Sequence, residues 1–324
     1  MNIVVLCGGN STEREVSLKS GALVYDSLKR HNYNVCYLDL SQDIDIDLKA
    51  ENPFIKKYDV EKIINNKHKS NSNKKIGNNV LEIMQLADLV FICLHGEDGE
   101  DSKIQSLLEL YNIKYTGSNQ IGCLLSMYKD ITKELLIRNK IKTPKYIKYQ
   151  ENKSIKMKYP FVVKLINGGS SIGVNIVKSK NEFDCIKEIL NGNYIIEKYI
   201  KGREFSVGIL DNKALPVIEI KPKSGFYDYD NKYIYGNTIE VVPAKLNKKE
   251  TKLIQETALK AHKALKLGYY SRVDFIRKSK NNFYCLEANA LPGLTDVSLF
   301  PQEAAAIRID FDRLCHMIVK SVLN

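Results

Sequence analysis

Two short segments near the end of the chain combine β-strand patterning with polar residues on one face. Residues 271–277 and 283–289 alternate in character and flank a polar stretch, which predicts a β-hairpin. Because side chains on a strand alternate between its faces, a turn at residues 279–282 would place Asp274 opposite Glu287. Two carboxylates that face each other repel unless a cation or a proton lies between them. The pattern therefore predicts a cation site.

The same face carries two further polar side chains. Arg272 precedes Asp274 by two residues and Asn289 follows Glu287 by two, so Arg272 and Asn289 would also lie opposite each other. Two carboxylates and an amide oxygen suit the hard ion Mg²⁺, which usually takes water and substrate phosphates as its other ligands. A solvated hairpin face with scattered charges is the alternative. The Leu-Pro-Gly-Leu-Thr turn at residues 291–295 favours the site, because it offers backbone N–H groups instead of returning to a core.

A loop rich in glycine and serine is the clearest phosphate-binding signal. Residues 160–177 indicate a strand that carries Lys164, a loop at residues 168–173 and a second strand. Backbone N–H groups in such a loop can bind phosphate oxygens. The loop is not a Walker A motif, since Val174 stands where that motif requires lysine. An ordinary glycine hairpin, with Lys164 burying only its stem, is the alternative.

The first residues of the chain predict a β-α-β unit. Residues 2–7 form an apolar run typical of a buried parallel strand, and two glycines end it. A helix is predicted over residues 10–28, with Ser11 or Thr12 as its N-cap. A strand at residues 34–38 follows. The glycines lack the G-x-G-x-x-G spacing and so do not indicate a dinucleotide site.

A further buried strand at residues 89–94 leads directly into His95. A lone histidine at a strand end is more often structural than catalytic. This one would stand at the carboxyl end of a parallel strand, where open α/β sheets bind their ligands. We therefore regard His95 as a candidate site residue.

Three other segments have a recognisable character. Residues 43–79 are rich in lysine, asparagine and aspartate and predict an insertion or loop, with a possible amphipathic helix at residues 58–65. Residues 226–237 form a polar and aromatic stretch that is typical of an active-site lid. Residues 246–266 predict an amphipathic helix. Its expected core positions are Ile254, Ala258, Ala261 and Leu265.

Length and composition are those of an ordinary globular protein. The chain has 324 residues, a length that is enough for two or three domains. Hydrophobic residues make up 44% of it and charged residues 27%. No run approaches the roughly 18 apolar residues of a membrane span, and the first residues do not resemble a signal peptide. The seven cysteines show no zinc-binding spacing. We expect a cytoplasmic protein that does not contact a membrane.

The formal net charge of +11 makes nucleic-acid binding the main non-enzyme alternative. The basic residues are mostly lysines spread along the chain, and the local cluster at residues 67–75 is typical of a solvated loop. No zinc-finger spacing and no aromatic RNA-binding motif accompanies them. We therefore expect no nucleic-acid partner.

Several motifs together resemble one enzyme family. The sequence LEANALPGLT at residues 286–295, followed by SLFP at residues 298–301, resembles the metal and acyl-phosphate site of the D-alanine–D-alanine ligases, which belong to the ATP-grasp superfamily. The sequences GGNSTEREVSL at residues 8–18 and LHGEDGED at residues 94–101 are similar to two further motifs of that family. The resemblance covers nearly the whole chain and is weakest over residues 43–79.

The chain departs from the family's pattern at a few positions. Tyr128 replaces the acid of the family's S-M-D-K motif, which here reads SMYK. Leu165 stands where proline is usual, and Ser102 and Ser106 stand where glycine is usual.

The resemblance implies an α/β fold of the ATP-grasp type. It implies an N-terminal Rossmann-like open-sheet domain at residues 1–118, which binds substrate. Two α+β ATP-grasp subdomains, a central one at residues 119–198 and a C-terminal one at residues 199–324, would enclose the nucleotide, and the C-terminal one would carry the lid and the metal site. It also implies a homodimer.

The implied reaction is the ATP-dependent joining of two D-alanines through a D-alanyl phosphate, with two Mg²⁺ or Mn²⁺ ions, for peptidoglycan synthesis. The alternatives are another ATP-grasp ligase, which would join D-alanine to D-serine or D-lactate, and a basic nucleotide- or nucleic-acid-binding protein.

The resemblance also implies which residues form the site. The implied substrate and catalytic residues are Glu13, Ser170, Tyr233, Arg272, Gly293, Ser298 and Leu299. The implied nucleotide-binding residues are Lys129, Lys164, Ser170, Ser171, Glu197, Lys198, Ile200, Glu204 and Lys232. The implied metal ligands are Asp274, Glu287 and Asn289.

Overall fold

The structure is a computed structural model of the 324-residue chain. It describes residues 1–56, 58, 60, 64, 74–151, 153, 155–190, 192–223, 231 and 236–323. Three sheets and the helices packed on them make up this part of the chain. None of the described helices is both long and apolar enough to cross a membrane.

The first sheet is parallel and has the strand order β2-β1-β3. Its strands are completely or almost completely buried, as the continuous apolar runs predict. Helix α1 packs on the sheet so closely that a Cβ on Gly21 would lie 2.8 Å from the Cβ of Cys7. The elements in chain order are β1 (Asn2–Cys7), α1 (Arg14–Arg30), β2 (Asn34–Asp39), α2 (Val80–Gln85), β3 (Leu89–Ile92) and α3 (Lys103–Leu110).

The predicted N-cap of the first helix is wrong. Helix α1 begins at Arg14 with Glu13 as its N-cap, and no side chain caps it. The hydroxyl of Ser11 instead donates to the carbonyl oxygen of His95 and accepts from the N–H of Glu13. Ser11 is therefore used to join two loops at the carboxyl edge of the sheet, and it is not available to the helix.

The segment at residues 43–79 contributes to the core more than an insertion would. Its described residues are irregular, yet Ile46 and Phe54 are buried in the same cluster as the first sheet. Its ends are joined where Asp43 accepts a hydrogen bond from the N–H of Asn78. Most of the predicted helix at residues 58–65 lies outside the described residues.

The second sheet is antiparallel and has the order β4-β7-β5-β6. Two helices precede it in the chain, and α5 holds its first strand through a hydrogen bond from the Tyr146 hydroxyl to the carbonyl oxygen of Asp130. The elements are α4 (Gln120–Met127), α5 (Lys129–Arg138), β4 (Tyr146–Lys148), β5 (Phe161–Leu165), β6 (Asn175–Val177), α6 (Lys180–Ile186) and β7 (Tyr194–Lys198).

The third sheet is antiparallel and has the order β11-β10-β8-β12-β13, with β9 paired to β8. Helix α7 packs on it, and its four expected core residues are fully buried, which confirms that prediction. The last helix, α9, packs against α1. The elements are β8 (Arg203–Leu210), β9 (Lys213–Ala214), β10 (Ile218–Pro222), β11 (Thr238–Val241), α7 (Lys248–Ala264), β12 (Tyr270–Ser279), β13 (Asn282–Asn289), α8 (Leu299–Ala305) and α9 (Phe311–Leu323).

The β12–β13 hairpin has the predicted pairing at its polar face but a different turn. Asp274 lies opposite Glu287 and Arg272 lies opposite Asn289, as predicted. Ser279, however, pairs with Asn282, so the turn consists of two residues and not of the predicted four.

Two register shifts reconcile the short turn with the predicted pairing. One extra residue, Lys278, lies in β12, and one extra residue, Leu286, lies in β13, so the two shifts cancel before Asp274. A bulge also redirects side chains. Here Leu286 and its neighbour Glu287 both line the same cleft, although consecutive strand residues normally point to opposite faces.

The side-chain N-cap of α7 makes a testable contribution to stability. The Asn247 side-chain oxygen accepts from the N–H of Glu250 at 2.9 Å, and its amide donates to the Glu250 carboxylate at 2.8 Å. We expect Asn247→Ala to lower the free energy of unfolding by about 1 kcal/mol, because it leaves a helix N–H without its acceptor. Urea denaturation measures this, with Lys249→Ala as the exposed control on the same turn. Equal stability of the two variants would contradict the cap.

Candidate active site

A cleft of about 640 Å³ opens between the second and third sheets. Its volume is that of a site for a nucleotide-sized ligand. The sequence-predicted residues that line it are Lys129, Lys164, Ser171, Glu197, Lys198, Ile200, Glu204, Asp274 and Glu287. Residues more than 150 positions apart in the chain are therefore brought together in one cavity.

Basic and acidic groups both line the wall of this cleft. The Lys164 ammonium lies 3.3 Å from a carboxylate oxygen of Glu197, and the Lys129 ammonium donates to the carbonyl oxygen of Gly168. Burial lowers the pKa of Lys164, but the carboxylates of Glu197 and Glu287 outweigh it, so this pKa lies above its ordinary value. Lys164 is thus a stable cation between the inner wall and the carboxylate face of the hairpin.

Asp274 is the centre of the polar face on the hairpin. The Arg272 guanidinium donates to both of its carboxylate oxygens, at 2.9 and 2.8 Å. The Asn289 amide donates to it at 3.0 Å and the Ser206 hydroxyl at 2.7 Å. Three strands, β8, β12 and β13, therefore fix one carboxylate in a single orientation.

This face fits a divalent cation chemically. Asp274 and Glu287 are cross-strand neighbours, and the carbonyl oxygen of the Asn289 amide is a third oxygen donor beside them. Hard cations such as Mg²⁺ prefer this donor set.

A second, smaller cavity of about 60 Å³ lies at the other end of the same polar face. Arg272 and Asn289 line this small cavity, whereas Asp274 and Glu287 line the large cleft. The other residues that line the small cavity are Glu13, His95, Glu100, Gly169, Ser170, Leu291, Pro292, Gly293, Val297, Ser298 and Leu299. All the described residues that the sequence predicted for substrate binding and catalysis therefore meet here.

Glu13 connects the first sheet to the glycine-rich loop. The Ser170 hydroxyl donates a hydrogen bond to the Glu13 carboxylate. Two glycines allow this approach, since a Cβ on Gly96 or on Gly169 would lie 2.5 Å from a Glu13 oxygen. Ser170 itself has a φ of 46°, in the left-handed region that non-glycine residues rarely adopt.

His95 and Glu100 form the back wall of the small cavity. The two oxygens of Glu100 accept from the N–H groups of Gly96 and Leu291, at 2.9 and 3.2 Å. Burial, and then the nearby Glu13 carboxylate, raise the pKa of Glu100 to about 7. Burial lowers the pKa of His95 even though Glu13 opposes the shift. The wall is therefore poorer in charge at neutral pH than its residue types suggest.

The turn that leads into α8 forms another part of the wall of the small cavity. The Ser298 hydroxyl accepts from the N–H of Thr295 at 2.9 Å and lies 2.8 Å from the Thr295 hydroxyl. A Cβ on Gly293 would lie 2.7 Å from the Ser298 hydroxyl oxygen, so the turn can close only around glycine. Ser298 and Gly293 are held at one end of the cavity in this way.

Sequence reasoning missed three acidic or basic residues beside these cavities. Glu100 could have been found as the second glutamate of the LHGEDGED motif. Glu303 is fully buried, accepts from the N–H of Gly208 and has a pKa that burial raises well above its usual range. Lys133 is fully buried as well. For Glu303 and Lys133 the only signal is a charged residue on the apolar side of a helix.

Two predicted residues lie where the structure gives no placement. Tyr233 and Lys232, together with most of the predicted lid at residues 226–237, are outside the described residues.

One departure from the family's pattern acquires a physical meaning, because Ser102 has a φ of 77°, a conformation that glycine adopts more readily.

Comparisons with known proteins agree over the whole length of the chain. The family model described as the D-ala D-ala ligase N-terminus matches residues 2–118, and that of the D-ala D-ala ligase C-terminus matches residues 125–320. The chain belongs to the D-alanine–D-alanine ligase family. A relative from Pediococcus pentosaceus, named D-alanine–D-alanine ligase, is 36% identical, and the match covers 98% of this chain and 97% of the relative.

Solved structures of family members have the same fold. A D-alanine–D-alanine ligase from Bacillus anthracis in complex with ATP gives a TM-score of 0.78 at 31% identity, covering 100% of this chain and 97% of that one. The VanG D-Ala:D-Ser ligase from Enterococcus faecalis gives a TM-score of 0.78 at 26% identity, covering 99% of both chains. The α/β fold of the ATP-grasp type is thereby confirmed.

Glu100 should make this protein less stable as the pH rises through neutrality. Its pKa of about 7 in the folded chain exceeds the ordinary 4.5, so between these values the folded state holds a proton that the unfolded state releases. The stabilisation is complete at a pH below the unfolded pKa and is lost as the pH rises through the folded pKa. We expect the free energy of unfolding of the wild type to fall by only about 1–2 kcal/mol over this pH range, because Glu100 keeps some accessible surface. Glu100→Gln should abolish this fall.

Urea denaturation of both proteins between about pH 5 and 8 tests this expectation. Glu256→Gln, at an exposed position, is the control and should follow the wild type. Parallel stability curves for Glu100→Gln and the wild type would contradict the raised pKa.

Proposed function

We propose that this protein is an ATP-dependent ligase that joins two D-alanines into D-alanyl-D-alanine for peptidoglycan synthesis. One observation of the structure carries the proposal. A single polar face, centred on Asp274 and Arg272, separates a nucleotide-sized cleft from a cavity with room for only a small substrate. A phosphoryl group on the cleft side and a carboxylate on the cavity side could react across this face.

We assign the larger cleft to ATP. Lys129 and Lys164 are cations for its phosphates, and Ser170 and Ser171 belong to the loop that would cover the β- and γ-phosphates. The backbone at residues 198–200 would bind adenine. In the same slot, Glu204 would accept hydrogen bonds from the ribose hydroxyls, and Glu197 would lie beside the base.

The first step would transfer the γ-phosphoryl group to the carboxylate of the first D-alanine. Divalent ions held by Asp274, Glu287 and Asn289 would supply charge neutralisation for the phosphoryl oxygens. A carboxylate oxygen attacks the γ-phosphorus, the bond to the bridging oxygen breaks, and ADP leaves. The chain itself contributes positioning, because Glu13 would bind the ammonium group of the first D-alanine while Ser170 holds Glu13.

The second step would form the peptide bond. The free amine of the second D-alanine attacks the acyl carbon, and inorganic phosphate leaves with the former carboxylate oxygen. Arg272 and the N–H of Gly293 would stabilise the oxyanion, and Ser298 with the backbone of Leu299 would bind the carboxylate of the second substrate.

The lid and the assembly complete the proposal. We propose that Tyr233 joins the hydrogen-bond network of Glu13 and Ser170, and that Lys232 neutralises the γ-phosphate when the lid closes. We also propose three domains, at residues 1–118, 119–198 and 199–324, a homodimer, and a cytoplasmic location where D-alanine and ATP are available.

Neutralising one proposed metal ligand should abolish turnover without unfolding the chain. We expect Glu287→Gln to keep the wild-type unfolding midpoint and to lose at least about 10²-fold in kcat, because it removes a charge that the divalent ions need. D-alanine-dependent phosphate release measures the activity, and Glu256→Gln is the exposed control. Phosphate release at the wild-type rate by Glu287→Gln would remove the hairpin from the mechanism.

The second substrate is the point at which the two candidate functions separate. The VanG relative is named a D-Ala:D-Ser ligase, so ligation of D-alanine to D-serine or D-lactate is the second candidate. We expect D-alanyl-D-alanine as the main product across about pH 6–9, at a rate that rises with pH, because the attacking amine must first lose a proton.

Mass spectrometry of the products from mixed D-alanine, D-serine and D-lactate at pH 6 makes the distinction. A majority of ester or of D-alanyl-D-serine would contradict the dipeptide assignment and leave the ATP-grasp fold unaffected.

A further inference from the structure

A buried lysine behind the nucleotide cleft has no role in the mechanism described so far. Lys133 lies on α5, four residues after Lys129, and is fully buried. Its ammonium is 2.9 Å from a carboxylate oxygen of Glu197, donates to the Thr143 hydroxyl at 2.7 Å and lies 5.8 Å from the centre of the Tyr146 ring. A lysine is rarely buried so completely unless its charge is paired with an opposite charge.

Lys133 is the inner end of a short chain of charges that leads to the cleft. Glu197 is held between two ammonium groups, with Lys133 at one oxygen and Lys164 at 3.3 Å from the other. Glu197 and Lys164 line the cleft, and Lys133 does not. The strand pairing fixes their order, because Glu197 on β7 lies opposite Val162, two residues before Lys164 on β5.

Burial lowers the pKa of Lys133, and the Glu197 carboxylate opposes this shift. With both lysines protonated, the three side chains together carry one net positive charge. Two ammonium groups and one carboxylate give +1, and the group nearest to the cleft is Lys164, whose side chain is 12% exposed. Without Lys133, the Glu197 carboxylate would have Lys164 as its remaining partner in this group, and the pair would be neutral. Charges in a poorly solvated site interact strongly, so this difference reaches the ligand.

We propose that Lys133 is a positioning residue for the nucleotide. It holds Glu197 in place and offsets its charge, which leaves the positive charge of Lys164 available to the phosphates of ATP. The assignment of ATP to the cleft comes from the proposed function, on which this inference rests. Burial raises the pKa of Glu197, but the two lysines outweigh it and hold this pKa below its ordinary value, so the carboxylate is ionised and needs both partners.

A purely structural role would have a different signature. Buried ion pairs often do no more than fix one packing arrangement, and removal of one partner then destabilises the whole protein. Such a loss would change the binding of D-alanine and of nucleotide alike. A positioning role should act on the nucleotide alone.

The test compares three variants of the full chain with the wild type. Lys133→Met removes the charge at similar volume, Lys133→Arg keeps the charge, and Arg138→Met removes an exposed cation from the same helix. The measurements are the KM for ATP and for D-alanine, kcat, and the Kd of ADP by calorimetry.

We expect Lys133→Met to raise the KM for ATP and the Kd of ADP by about tenfold, while the KM for D-alanine stays within about twofold. Lys133→Arg should keep the Kd of ADP within about threefold of the wild type, and Arg138→Met should change nothing by more than about twofold. Unchanged nucleotide binding in Lys133→Met, or equal changes for both substrates, would overturn the proposal.

Two further outcomes are also decisive. If Lys133→Met does not fold, Lys133→Gln takes its place, since its amide can still donate to Glu197 or Thr143 but carries no charge. A Kd of ADP equal to that of the wild type in that variant would then contradict the proposal. If the wild type released no phosphate with D-alanine, the proposed ligase function would fail, and the calorimetric comparison would still test the role of Lys133.

Discussion

The carboxylate of Asp274 is the constraint on which the rest of the site depends. It accepts hydrogen bonds from Arg272, Asn289 and Ser206, so residues on three strands of the third sheet fix its orientation. Opposite Asp274 stands Glu287, placed there by two bulges that cancel each other. Any shift of register by one residue would turn this polar face into the core, and both cavities would lose their common wall.

The two cavities beside this face differ in the charged groups that line them. On the cleft side, Lys164 is exposed to the ligand, and the buried Lys133 lies behind it on the other oxygen of Glu197, which suits a polyanionic ligand. The small cavity has Glu13 as an acceptor and Glu100 with a pKa raised to about 7, which suits a small zwitterion. Burial strengthens each of these interactions, because little water is available to screen them. The two neighbouring cavities are therefore suited to ligands of different charge.

Much of this site follows from sequence, and the rest depends on packing. The period of two in β12 and β13 was enough to predict that Asp274 would face Glu287, although it could not reveal the bulges that preserve the pairing. The contact between Glu13 and Ser170 spans 157 residues and was accessible only through the family's motifs. The burial of Lys133 could not be foreseen, because a lysine on a helix faces solvent unless tertiary contacts enclose it.

The central claim is that phosphate and acyl transfer take place across the Asp274 face through a D-alanyl phosphate. The most direct measurement uses D-alanine labelled with ¹⁸O at both carboxylate oxygens and follows the label by mass spectrometry of the products. If a carboxylate oxygen attacks the γ-phosphorus and leaves with it in the second step, each inorganic phosphate released should carry one ¹⁸O atom. Unlabelled phosphate, or label in AMP, during dipeptide formation would contradict the account.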